Sequence, residues 1–178
     1  MKIYLKRNTD IKKIVYISLL AAQAIILSIL ETQISIPFGV PGIKLGLANI
    51  ITMVCLVFFN FSDTLLIILL RCVITSLFMS GPVMFMFSIC GGVLSATIMW
   101  LMHKYLKKFF SLVGISIAGS ITHNLTQIMV ACFIMSDISV TGYLPVMLVS
   151  GILMGCFIGI CSSLIVKVLK RLNLIENF

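Results

Sequence analysis

The chain reads as a series of long apolar runs, each closed by a short polar or glycine- and proline-bearing break. Residues 14–30 are apolar and end at Glu31; a segment with Pro37, Gly39 and Pro41 turns the chain. Further runs are separated by Asn60–Ser62, by Ser80-Gly81-Pro82, by Lys104, Lys107 and Lys108, and by a polar stretch at 136–143. Spans of about 17–25 residues fit a ~30 Å hydrocarbon core. The pattern therefore predicts six transmembrane helices, over 14–31, 44–59, 63–79, 83–103, 112–135 and 144–169. The fourth is expected to be interrupted at Gly91-Gly92. The second is at the short end of the range.

Composition agrees. Of 178 residues, 61% are hydrophobic and 10% charged, against roughly 25% charged in soluble domains. Mean hydropathy is +1.22. The expectation is an all-α membrane protein, a single integral domain over 1–178.

Charge then sets the topology. With six spans, Lys2, Lys6, Arg7, Lys12, Lys13, Lys104, Lys107, Lys108, Lys167, Lys170 and Arg171 share one side, leaving Lys44 opposite and Arg71 within a span. The positive-inside rule makes the basic side cytoplasmic, both termini included. The net charge of +8 is then accounted for by this rule and by anionic membrane lipid, with no nucleic-acid partner implied.

Polar residues inside the spans are the candidates for function, because ionisable groups at membrane depth are costly. The segment Pro41-Gly42-Ile43-Lys44-Leu45-Gly46-Leu47-Ala48-Asn49 is the most unusual. Read as the start of helix two, it sets Gly42 and Gly46 on one face, with Asn49 almost one turn deeper. Arg71 falls mid-way along the third span. It is either a clamp on carbonyls or on Glu31, or a contact for an anionic ligand. His123, Asn124 and Gln127 lie mid-way along the fifth span, and His123 and Gln127 are four apart on one face. Gln23 is central in the first span, and Glu31 closes it. Gln23, Arg71 and His123 are expected near mid-depth, with Glu31, Lys44 and Asn49 toward the outside. A polar cavity opening outward accommodates both sets.

Small residues mark close-packing faces. Helix six carries Gly151, Gly155 and Gly159, read first as internal packing. Helix one carries two pairs, Ser18 with Ala22 and Ala24 with Ser28. Ser18 and Ala22 are the candidate contact for a partner membrane subunit.

Several chemistries lack their motifs. There is no GxxxxGK[ST] for nucleotide hydrolysis. The five acidic residues are scattered, whereas a Mg²⁺–diphosphate site draws on clustered carboxylates. The six cysteines lie in apolar runs without a CxxC pair and read as packing residues. No catalytic residue, metal or cofactor is expected.

The 41–49 segment, Leu70-Arg71, Gly91-Gly92, and Ala118-Gly119 followed by His123-Asn124-Leu125-Thr126-Gln127 resemble, in order, the Gx transporter family, also labelled heptaprenyl diphosphate synthase component I. The resemblance covers about 14–169. It implies similarity to the substrate-binding (S) components of energy-coupling factor transporters. Those are six-helix bundles that bind a vitamin-like solute in their outer half and borrow a transmembrane coupling subunit with two ATPases. On that footing the protein is a solute-binding subunit of an uptake transporter. Its ligand would be a small anionic, vitamin-like or flavin- or quinone-related molecule, with Lys44, Asn49, Arg71, His123, Asn124, Gln127, Glu31 and Gln23 as binding residues. The alternatives are a membrane accessory subunit of heptaprenyl diphosphate or quinone synthesis, or a component of flavin-based extracellular electron transfer. The enzyme label sits poorly with a chain that lacks the aspartate-rich motifs of prenyl diphosphate synthases.

Overall fold

The computed structural model describes residues 2–33 and 44–172, with side-chain surroundings from residue 11 onward except at 79 and 80. Gly42 and the Pro37–Pro41 turn lie outside the described residues. Six α-helices make up the bundle: α1 Lys2–Gln33, α2 Asn49–Phe58, α3 Phe61–Thr75, α4 Gly81–Tyr105, α5 Leu112–Met135 and α6 Leu144–Arg171. No strand occurs among the described residues. Among the described residues, five stretches are long and apolar enough to cross a membrane: Ile11–Gln33, Phe61–Phe78, Gly81–Tyr105, Leu112–Met135 and Ile138–Arg171. The protein is an all-α, multi-pass membrane bundle.

The helix boundaries correct the sequence reading at three places. First, α1 starts at Lys2, well before residue 14. Hydropathy detects only the apolar part, whereas nothing between Lys2 and Gln33 breaks a helix: the stretch has neither glycine nor proline. Second, Gly91-Gly92 does not interrupt α4. The pair is buried and serves close contact. A Cβ on Gly91 would lie 2.8 Å from the His123 ring, and one on Gly92 would lie 3.0 Å from Arg71 Nη2.

The third correction matters most. The second helix begins at Asn49, not at 44. Lys44–Gly46 are outside regular secondary structure and 47–48 form a turn. Gly46 has φ +85°, the left-handed region in which residues with a Cβ are strained. Gly46 is therefore not part of a helix, and the expected face shared with Gly42 lies outside the described residues. The ten residues of α2 rise only about 15 Å, half of a hydrocarbon core.

Short contacts fix which ends of the helices lie together. Lys13 of α1 pairs with Asp63 of α3 at 2.8 Å. Asp63 also accepts the N–H of Asn60 at 3.2 Å, capping α3. Phe61 packs on Trp100 of α4, ring centroids 4.9 Å apart, and Lys104 lies 4.8 Å over the same indole. These residues define a basic end. Above it sits an apolar layer of Met53, Leu56, Met99 and Ile115. The polar residues collect beyond that layer, toward the opposite end.

Two further features shape that region. Helix α3 passes at Ser76 into one π-helical turn, Ser76–Ser80, which joins it to α4. Helix α6 lays its glycine stripe on the backbone of α5: a Cβ on Gly155 or Gly159 would come within 2.5 Å of the Cα of Ile117 or Val113. That stripe is internal packing, as expected. On α1, Ala24 and Ser28 are buried inward, whereas Ser18 and Ala22 are exposed on the bundle surface.

Candidate functional site

The site is built where a membrane-embedded backbone stops being helical. Residues 44–48 leave N–H groups that no helix satisfies, and such backbone is tolerated at membrane depth only when protein groups bond it. Two side chains do so. Glu31, in the last turn of α1, accepts the N–H of Gly46 through Oε1. Gln127 of α5 accepts the N–H of Lys44 through Oε1 at 3.3 Å. The Lys44–Gly46 strap is thus tied to α1 on one side and to α5 on the other. A Cβ on Gly46 would also lie 2.9 Å from Asn49 Nδ2, so glycine is needed there for space as well as for φ.

The bond to Lys44 orients the Gln127 amide toward His123. With Gln127 Oε1 committed as acceptor, Gln127 Nε2 is the donor that faces His123 Nε2 at 3.2 Å. With that amide orientation His123 Nε2 is the acceptor, which calls for a neutral ring protonated on Nδ1, an atom buried without a hydrogen-bond partner. The Nδ1 edge lies against Gly91. In this arrangement His123 faces Gln127 and holds its amide.

Around the strap sit the charged residues. Lys44 is 8% exposed and donates through Nζ to Ser88 Oγ of α4 at 3.1 Å. Arg71 is 5% exposed; its Nη2 donates to Asn49 Oδ1 at 3.4 Å, and its Nε has no hydrogen-bond partner. Glu31 is 4% exposed. Lys44, Arg71 and Glu31 sum to one net positive charge with His123 neutral. No ion pair within 4.0 Å joins Arg71 to Glu31; the pair formed among the described residues is Lys13–Asp63. Arg71 is therefore not a direct clamp on Glu31.

A cavity of about 10 Å³ lies between these groups, lined by Ser28, Glu31, Lys44, Gly46, Arg71, Cys72, Thr75, Ser88 and His123. That is room for roughly one water molecule. Thr75 is buried, one turn beyond Arg71, and its hydroxyl has no partner. The arrangement can hold an anionic group against a guanidinium, an ammonium and hydroxyls. No group of three or more metal-ligating side chains occurs among the described residues.

Of the residues singled out by sequence, Glu31, Lys44, Asn49, Arg71, His123 and Gln127 come together. Asn124 and Gln23 do not. Asn124 faces α6, donating to Met147 O at 2.8 Å and to Ser150 Oγ at 3.3 Å. It is one residue from His123, and the 100° step along a helix turns it to another neighbour. Gln23 is exposed and lines a shallow apolar groove with Ile26, Ile50 and Cys161. Depth alone put it near the cluster; its azimuth on α1 points it away. Ser28, Cys72, Thr75 and Ser88 were missed. Ser28 and Thr75 had a signal in their spacing, one turn from Glu31 and Arg71 respectively; Ser88 had none.

No curated protein and no solved structure matches the chain. The family described as heptaprenyl diphosphate synthase component I matches residues 20–165, a span that includes every residue of the cluster. With its paired glycines, buried arginine and strapped second helix all inside that match, the chain belongs to the heptaprenyl diphosphate synthase component I family.

Proposed function

We propose that the protein is a membrane-embedded binding subunit that takes a small anionic molecule at the Arg71–Lys44 cluster and works with partner subunits. One observation carries this reading. Arg71 is buried, unpaired with any carboxylate, partnerless at Nε and in the wall of a cavity. Two cations around the single carboxylate of Glu31 leave one positive charge uncompensated, which in a dry site costs several kcal/mol, so a site of this kind is completed by an anion. The broken backbone beside it supports the same reading, because membrane proteins place interrupted helices where solutes and ions bind.

The cavity holds about one water, so a larger solute requires the Lys44–Gly46 strap to move. The layer of Met53, Leu56, Met99 and Ile115 lies between the cluster and the basic end. Release on that side would need a second component. This fits a solute-binding subunit similar to an S component, coupled to a transmembrane subunit and ATPases. Ser18 and Ala22, small and exposed on α1, suit such a contact.

The family description favours a second reading, a non-catalytic membrane component of heptaprenyl diphosphate synthesis. There the partner would be a soluble synthase, and the anion at Arg71 would be a diphosphate.

The test is to extract the protein in mild detergent and identify co-purified small molecules by mass spectrometry, beside Arg71→Lys and Arg71→Ala. The expected result is a bound anion in the unaltered protein, less in Arg71→Lys and none in Arg71→Ala. Lysine keeps the charge and loses the planar fork. Losing a charged partner in a dry site weakens binding by roughly 30- to several-thousand-fold. A vitamin-like anion favours the transporter reading and a prenyl diphosphate the synthase reading. If Arg71→Ala keeps the same molecule and only melts lower, Arg71 is structural and the reading falls.

A further inference from the structure

The cluster already contains one seated anion, and it belongs to the chain itself. The Glu31 carboxylate accepts the N–H of Gly46. The N–H of Leu47 also faces it, and Arg71 and Lys44 lie within electrostatic reach. Gly46 and Leu47 open the turn that leads into α2, so their N–H groups are the unsatisfied donors before a ten-residue helix. Backbone donors at a helix start, next to a guanidinium and an ammonium, are the groups that hold a free carboxylate.

We propose that Glu31 is an internal stand-in, and that the cradle of Gly46, Leu47, Arg71 and Lys44 is the binding site for the carboxylate of a ligand that enters by displacing the Glu31 side chain. This rests on reading the cluster as an anion site and names the ligand group. Two observations support it beyond the cradle itself. Arg71 Nε and the Thr75 hydroxyl are both buried without partners. A carboxylate free of α1 can meet the backbone donors and the guanidinium together, which Glu31, held on its helix, does not. Also, Glu31 lines the cavity of about 10 Å³, so moving its side chain away enlarges the space. Glu31 stands two residues from the end of α1, in the turn of the helix where displacement of a side chain disturbs the fewest helical bonds.

Glu31 competes as a tethered ligand, at an effective concentration in the millimolar range or above. A simple carboxylate should therefore not displace it. A natural ligand needs contacts of its own, for which Ser88 and Thr75 are placed.

The experiment empties the cradle. Full-length protein in nanodiscs is compared with Glu31→Gly and Glu31→Ala, and thermal unfolding is followed against sodium acetate, sodium formate and sodium phosphate, with chloride holding ionic strength constant. Both variants should melt lower than the unaltered protein. Acetate or formate should then raise Tm saturably, by about 2–4 °C or more, with a smaller effect of phosphate and none of either carboxylate on the unaltered protein. Adding Arg71→Ala should abolish the response. Absence of a carboxylate effect in both variants overturns the proposal. So does failure of both to fold at any carboxylate concentration, because a carboxylate that fits the cradle restores what was removed. A stronger response to phosphate than to carboxylate overturns the choice of ligand group. If the rescue fails but a co-purified anion is still lost from Arg71→Ala, the anion-site reading stands and the cradle assignment falls. If the rescue succeeds and requires Arg71 while no co-purified anion is lost from Arg71→Ala, the cradle stands and the function reading falls.

Discussion

Gly91 of α4 lies directly under the imidazole of His123 on α5: a Cβ on this glycine would sit 2.8 Å from the ring's Nδ1 and Cε1. The contact joins two motifs that stand far apart in the chain. It also holds the ring so that Nε2 reaches Gln127, which in turn holds the strap.

Gly91→Ala is therefore expected to act at the site as well as on stability. The ring is buried and its hydrogen bond fixes its position, so one added methyl forces a shift. Overpacking of this kind costs typically 1–3 kcal/mol. Thermal unfolding should show that loss, and ligand retention should fall with it. A variant with unchanged stability and binding would show that the His123 ring has room to move.

Gly46→Ala should be at least as damaging. The residue has φ +85°, and left-handed backbone costs an alanine roughly 1–2 kcal/mol. Its Cβ would also approach Asn49 Nδ2 to 2.9 Å. Because the Gly46 N–H points at Glu31, hydrogen exchange at that amide should accelerate in the variant. Exchange as slow as in the unaltered protein would mean that the strap tolerates the side chain.

Gln127→Leu tests the strap from the other side. It removes the acceptor for the Lys44 N–H and the donor to His123 while keeping the volume nearly constant. A buried donor left unpaired costs about 1–3 kcal/mol. In ¹⁵N-labelled protein the His123 ring should start as the Nδ1–H tautomer and lose that preference in the variant. A charged imidazole in the unaltered protein near neutral pH would contradict the hydrogen-bond assignment.

Asn124→Ala separates scaffold from site. Both of its hydrogen bonds run to α6, so the substitution should lower Tm and leave the affinity of any bound anion within about twofold. A large affinity loss at unchanged stability would return Asn124 to the ligand set.

Topology is testable with fusions. Reporters at Lys108 and after Phe178 should read cytoplasmic, and one at Ser139 should read external. The motivation is the basic end, where Lys13, Lys104 and their neighbours gather. An external C-terminal reporter would require an odd number of crossings.

The sequence by itself determined that this is a helical membrane protein, where α5 and α6 begin, which end is basic, and that Arg71, Lys44 and Glu31 are the costly residues to explain. Those conclusions follow from hydropathy and from the expense of charge in hydrocarbon, both local properties. It did not show that helix two is cut short. The run 44–59 is largely apolar apart from Lys44, Asn49 and Thr52, and hydropathy does not distinguish helix from irregular chain. What decides the matter is the supply of backbone partners: Glu31 and Gln127 come from helices distant in sequence, and only when they meet can Lys44–Gly46 leave the helix without stranding their N–H groups. Azimuth is the other quantity that only the tertiary structure decided. Neighbours such as His123 and Asn124 share a depth but face different helices, and Gln23 has the right depth and the wrong face. Helix packing, set by the glycines at 91, 92, 155 and 159, chose which polar groups became a site and which became scaffold.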